Sequence, residues 1–97
     1  MKTVYISAPI TGFPEYAVKC VFECAEKELA KKGCNTINPL NLNVAKGASY
    51  GEYMGVDIQE LIDNADAVYF GRGWHKSKGC QLEFAAAKIY DKEIMFE

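Results

Sequence analysis

The chain has one histidine, one tryptophan and no excess of basic residues: 11 Lys and Arg stand against 13 Asp and Glu, for a formal charge of −2. Without a basic face to neutralise phosphates, binding to a nucleic acid polymer is not expected, while one small anionic ligand stays open. No apolar run approaches the ~20 residues that cross a bilayer, so no membrane partner is expected. Met1 to Ile6 lack the apolar segment and small-residue cleavage site of a secretory signal, which points to a cytoplasmic protein. A metal-binding pattern is missing too. Cys20 and Cys24 lie one helical turn apart and Cys34 follows Gly33, a spacing that matches no common zinc site. These three read as reduced thiols used as buried small hydrophobes. Cys80 differs, because a thiol at a helix N-terminus can have its pKa lowered, although a lone Cys with a lone His75 in the same loop is a weak nucleophile pattern.

Apolar residues are plentiful. They make up 49% of the 97 residues, enough for one packed core and therefore a single domain over residues 1–97. Strand-like and helix-like segments alternate without linkers or repeats. Residues 2–7 form a first strand, which ends at the turn Ala8-Pro9-Ile10-Thr11-Gly12-Phe13-Pro14. A helix follows from about Glu15 to Lys32, with Val18, Val21, Phe22, Ala25 and Leu29 on one face and Gly33 as its stop. Thr36-Ile37-Asn38 is a second strand ended by Pro39, and the polar residues 40–51 suggest a loop over a pocket. A second helix runs from about Glu52 to Asn64. Ala67-Val68-Tyr69-Phe70-Gly71 is a third strand, buried on both faces. A third helix carries Leu82, Ala85, Ala86, Ile89 and Tyr90, and Glu93-Ile94-Met95-Phe96 makes a fourth strand. Such alternation implies a four-stranded parallel sheet in the order 2-1-3-4, with ligands bound outside the carboxyl ends of strands 1 and 3.

The loops after those two strands bring Ser7, Thr11, Arg72, Trp74, Ser77 and Glu83 to one place. The stretch from Ser77 to Glu83 sets a hydroxyl, a glycine and a carboxylate at a fixed spacing where a strand hands over to a helix. A carboxylate is stable near a helix N-terminus, and Gly79 lets a ligand approach the free N–H groups. The same spacing also fits a capping box, with Ser77 or a neighbour as N-cap and Glu83 as a solvated first-turn acid. Arg72 and Lys76 add charge to the loop or are simply solvated. Trp74 either stacks on a ligand or anchors the loop.

Five blocks together resemble the nucleoside 2-deoxyribosyltransferase superfamily: Tyr5-Ile6-Ser7-Ala8-Pro9-Ile10-Thr11-Gly12, Asn38-Pro39, Asp57-Ile58-Gln59-Glu60-Leu61, Ala65-Asp66-Ala67-Val68, and Ser77-x-Gly79-x-x-x-Glu83-x-x-x-Ala87. Within it the chain looks most similar to a small branch common in bacteria and phages, with a Gly-Trp-x-x-Ser-x-Gly-x-x-x-Glu signature from Gly73 to Glu83. The resemblance implies a flavodoxin-like (Rossmann-like) α/β three-layer sandwich. It implies cleavage of an N-glycosidic bond in a nucleoside or nucleotide, with Glu83 attacking the anomeric carbon and Asp57 assisting the departing base; Asp57 reads equally as a surface acid of its helix. It places the substrate against Tyr5, Ser7, Pro9, Ile10, Thr11, Gly12, Gly73, Trp74, Ser77 and Gly79, and it requires no cofactor. In the relatives that hydrolyse deoxynucleoside 5'-monophosphates the position matching Ser77 contacts phosphate. Longer relatives continue into a fifth strand and a tail, so a homodimer or larger assembly is expected to complete the pocket here, with Tyr53 and Met54 near the contact. The alternative to an enzyme is a protein that binds a nucleotide-derived small molecule without chemistry, or a scaffold with a vestigial pocket.

Overall fold

Strand β1 (Thr3–Ser7) occupies the middle of the molecule, and its alternating side chains decide what each face of the sheet buries. A computed structural model describes all of residues 1–97. Around β1 lie helix α1 (Glu15–Lys31), strand β2 (Asn35–Ile37), helix α2 (Tyr50–Asn64), strand β3 (Ala67–Phe70), helix α3 (Lys78–Ile89) and strand β4 (Glu93–Phe96). Short 3-10 turns cover Pro39–Asn41 and Trp74–Lys76. All strand pairs are parallel and the order is β2-β1-β3-β4, the flavodoxin-like arrangement read from the sequence.

The chain moves outward from β1 to β2 and, in the opposite direction, from β3 to β4. Crossovers of one hand must then put helices on both faces. Val4 and Ile6 pack with Val18, Phe22, Ala25 and Leu29 of α1 on one side. Tyr5, Val68 and Phe70 pack with Leu61 of α2 and Ala86 and Ala87 of α3 on the other. The register pairs Tyr5 with Val68 and Ser7 with Phe70, so β1 and β3 end side by side at the reversal of the order. That crevice is where open parallel sheets bind ligands.

Local signals set the boundaries. Ser49 caps α2: its hydroxyl accepts the Glu52 N–H at 3.1 Å, and the Glu52 carboxylate accepts the Ser49 N–H at 3.0 Å. This capping box starts the helix at Tyr50, two residues before the start read from the apolar spacing. Asn38 caps the turn that Pro39 opens, its Oδ1 accepting the Leu40 N–H at 2.9 Å. Two readings of the cysteines and of α1 need correction. Cys20 and Cys24 are exposed and Cys34 is half-buried, because Cys20 and Cys24 stand two residues after the core positions Val18 and Phe22 and so point away from the sheet. Val21 falls at the edge of the buried stripe of Val18, Phe22, Ala25 and Leu29 and is exposed.

Phe22 has no solvent exposure, whereas Tyr16 on the same helix is 76% exposed. Phe22→Ala is therefore expected to lower unfolding free energy by about 3–5 kcal/mol, and Tyr16→Ala to change it by no more than about 0.5 kcal/mol. Urea unfolding checks the pair, and equal small losses would contradict this placement of the core.

Candidate active site

Helix α3 buries the stripe Cys80, Glu83, Ala86 and Ala87 against the sheet, and one member of that stripe is an acid. Glu83 is only 6% exposed. Its carboxylate faces β1, where Tyr5 and Ser7 point to the same side of the sheet. The Tyr5 hydroxyl donates to Oε2 at 2.5 Å and the Ser7 hydroxyl to Oε1 at 2.7 Å. Both oxygens are thus occupied by donors, and no buried polar side-chain atom in the molecule lacks a partner.

The electrostatics follow from this burial. Removal from water pushes the Glu83 carboxyl up to about 7, against the two donated hydroxyls, which pull it down, while the charge of Asp57 pushes it further up. Asp57, on α2, is raised to about 6 by burial alone. Burial, then the neighbouring Glu83 charge, raises the Tyr5 phenol far above its ordinary value, so it remains a donor at any physiological pH. Two interacting carboxyls with raised values titrate as a pair, and the pair retains one proton between about pH 6 and 7. One charged and one neutral carboxyl facing a common cavity is the arrangement that acid-assisted displacement needs.

Glu83 and Asp57 both line an inner pocket of about 50 Å³, together with Thr11, Tyr50, Met54, Ser77 and Cys80. Two larger grooves adjoin it. One, of about 660 Å³, runs past Pro9, Thr11, Gly73, Ser77 and Gly79 and carries Arg72, Lys76 and Lys78. The other, of about 340 Å³, is apolar, with Ile10, Pro39, Leu40, Leu42, Tyr53 and Met54 around Asp57. Thr11 and Tyr50 line all three spaces, which therefore form one cleft.

Most of the residues singled out in the sequence meet here. Tyr5 and Ser7 hold Glu83 from below; Pro9, Ile10, Thr11, Gly73, Ser77 and Gly79 line the cleft. Gly12 and Gly73 adopt left-handed backbone, with φ of 89° and 84°, and shape the two loops that flank it. Ser77 caps α3 by accepting the Cys80 N–H at 3.3 Å, and it lines both the inner pocket and the cationic groove. Glu83, however, is in the second turn of α3 and buried, so it is neither a first-turn acid nor solvated.

Other placements differ from the sequence reading. Trp74 does not line the cleft: it stacks on Phe84 at 4.7 Å between centroids and packs with Phe70 and Phe96, anchoring the loop. Gly79 lines the cleft and also permits close approach of α2: a β-carbon there would lie 3.1 Å from the Tyr50 hydroxyl and 3.4 Å from Met54 Sδ. Burial raises rather than lowers the Cys80 thiol, because desolvation outweighs its place near a helix start. Met54 lines the inner pocket and the apolar groove beside it. Tyr50 was missed as a cleft residue. Tyr50, Met54 and Asp57 follow i, i+4, i+7 spacing on α2, a signal hidden when the helix is started at Glu52.

Among solved structures, a 2-deoxyribosyltransferase from the psychrotolerant bacterium Bacillus psychrosaccharolyticus matches with a TM-score of 0.70 at 23% identity, over 97% of this chain and 70% of that one. A 2-deoxyribosyltransferase from Leishmania mexicana matches with a TM-score of 0.74 at 18% identity, over 99% of this chain and 63% of that one. The chain thus spans less than two thirds of the Leishmania enzyme. At these identities the likeness is one of fold. No curated protein matches in sequence. A family model described as "Domain of unknown function (DUF4406)" matches residues 2–96, nearly the entire length. The chain belongs to that DUF4406 family, built on the fold that these 2-deoxyribosyltransferases share.

Proposed function

We propose that the protein cleaves or transfers the N-glycosidic bond of a nucleoside or nucleotide, with Glu83 as nucleophile and Asp57 as the acid that meets the departing base. The observation that carries this reading is the Glu83 carboxylate, buried at the inner end of the cleft and held by two hydroxyls. An oxocarbenium-like transition state needs a fixed carboxylate on one face of the sugar, and Tyr5 and Ser7 leave Glu83 little freedom to turn. A Glu83 oxygen forms a bond to the anomeric carbon as the carbon–nitrogen bond breaks. The base leaves with that electron pair and takes the proton of the Asp57 carboxyl. A second base or a water then attacks the same carbon, gives up its proton to Asp57 and releases the Glu83 carboxylate.

Burial leaves Glu83 with the higher value of the pair, about 7 against about 6 for Asp57, so before substrate enters the shared proton rests on Glu83; attack needs that proton passed to Asp57, and the hydroxyls of Tyr5 and Ser7 favour the charged Glu83 that remains. The shape of the cleft supports a nucleotide in particular: an apolar groove beside Asp57 for a flat base, and a cationic groove beside Ser77 for a phosphate.

Glu83→Gln tests the nucleophile with two readouts. Incubated with a panel of deoxynucleosides and their monophosphates, the variant is expected to release base at least ~10³-fold more slowly than the wild type while still binding, because an amide keeps the shape but is a poor nucleophile. The second readout is stability against pH. The folded state holds the Glu83 proton up to about 7, whereas the ordinary value is 4.5, so wild-type stability falls as pH rises through that window. The loss attributable to Glu83 is about 3 kcal/mol. Glu83→Gln cannot titrate, and its stability should fall less over the same range, with only the smaller contribution of Asp57 remaining. Base release at the wild-type rate would remove Glu83 from the chemistry, and identical pH slopes would contradict its burial as a raised carboxyl.

Calorimetric titration tests the phosphate groove. The Ser77 hydroxyl with Lys76, Lys78 and Arg72 in the same groove should give a deoxynucleoside monophosphate an affinity at least about tenfold above that of its nucleoside, the gain typical of a charge-assisted hydrogen bond. Equal affinities would rule that groove out as a phosphate site.

A further inference from the structure

The inner pocket, at about 50 Å³, has room for one or two waters and none for a pentose. A glycoside therefore reaches Glu83 only after part of the lining moves. Part of that lining is fixed: Ile6, Ala8, Phe22, Cys80 and Glu83 are buried, and Gly79 is packed against α2. Tyr50 is different. It is the first residue of α2, it is 59% exposed, and it is the aromatic side chain common to the inner pocket and both grooves. Its hydroxyl lies against Gly79, the one place on α3 where the absence of a side chain lets it rest.

We propose that Tyr50 is the gate of the inner pocket: its side chain swings off Gly79 to admit the sugar, and closes again to separate the sugar from the solvent in both grooves. Rotation about the side-chain bonds of an exposed residue at a helix start needs no backbone rearrangement and occurs on a fast timescale. The return of the ring would exclude bulk water from the reacting carbon, which an N-glycosidic displacement needs if a base rather than solvent is to resolve the intermediate. That the entering group is a sugar rests on the function proposed above. The gating itself does not.

The pocket contains its own reporter. Cys80 lines it and is 1% exposed, while Cys20 and Cys24 are exposed on α1. Alkylation of the full-length protein by iodoacetamide, followed cysteine by cysteine with peptide mass spectrometry, measures how often the pocket opens, with Cys20 and Cys24 as internal references. Tyr50→Ala should label Cys80 about tenfold faster than wild type, consistent with removal of a local closing contact. Tyr50→Leu should fall between the two, and Tyr53→Ala, which lines only the apolar groove, should match wild type. The acceleration should persist unchanged in low urea, the mark of local opening rather than global unfolding. Cys80 labelling in Tyr50→Ala within twofold of wild type would overturn the proposal. So would equal acceleration by Tyr53→Ala, or wild-type Cys80 labelling as fast as Cys20. None of these readouts depends on base release, so the gate and the glycosidic reading fail separately.

Discussion

A carboxyl group buried between a helix and the middle strand of a sheet is the constraint on which the rest of this molecule depends. Glu83 occupies a position on α3 that its neighbours Cys80, Ala86 and Ala87 use for apolar packing. Placing an acid there raises its pKa and lowers stability at neutral pH, and the fold tolerates this only because β1 supplies donors for both oxygens. Those donors are Tyr5 and Ser7, adjacent on the same face of one strand. The alternation that sends them to α3 also sends Val4 and Ile6 to the core under α1. One short strand thus sets both the hydrophobic interior and the chemistry above it.

The sheet order makes the same strand a boundary. Because β1 and β3 leave the sheet in opposite senses, the loops after them splay apart, and the start of α2 enters the gap from the side. Its face of Tyr50, Met54 and Asp57 supplies a second carboxyl, an apolar wall and a movable ring at the mouth. The aromatic cluster of Phe70, Trp74, Phe84 and Phe96 has a supporting part: it fixes the loop from which Ser77 starts α3 and so holds Glu83 in register with β1.

Sequence patterns carried the sheet order, because βα alternation leaves few topologies, and the family resemblance pointed to Glu83 and Asp57, which the structure sets on one pocket. What they did not carry depended on facing rather than order. Trp74 sits in a loop, and nothing in its neighbours tells whether the ring turns toward the cleft or toward Phe84. Gly79 looked like an opening because glycine is permissive; its contact with Tyr50 and Met54 comes from another helix. Cys20 and Cys24 were misplaced although the signal was present: a two-residue offset from Val18 and Phe22 puts them on the outer face of α1. Tyr50 was hidden by a boundary, since the capping box from Ser49 to Glu52 extends α2 to include it. The raised state of the carboxyl pair was beyond sequence reasoning, since it comes from burial and from partners distant along the chain.

In the proposed chemistry Glu83, paired but desolvated, bonds to a sugar carbon. The most direct measurement is the mass of the peptide containing Glu83 after acid quench within the first turnover, using whichever deoxynucleotide or deoxynucleoside releases most base. The expected result is a gain equal to the sugar unit on that peptide, appearing together with free base and absent from Glu83→Gln. Full release of base over the same interval with no mass change on the Glu83 peptide would contradict it.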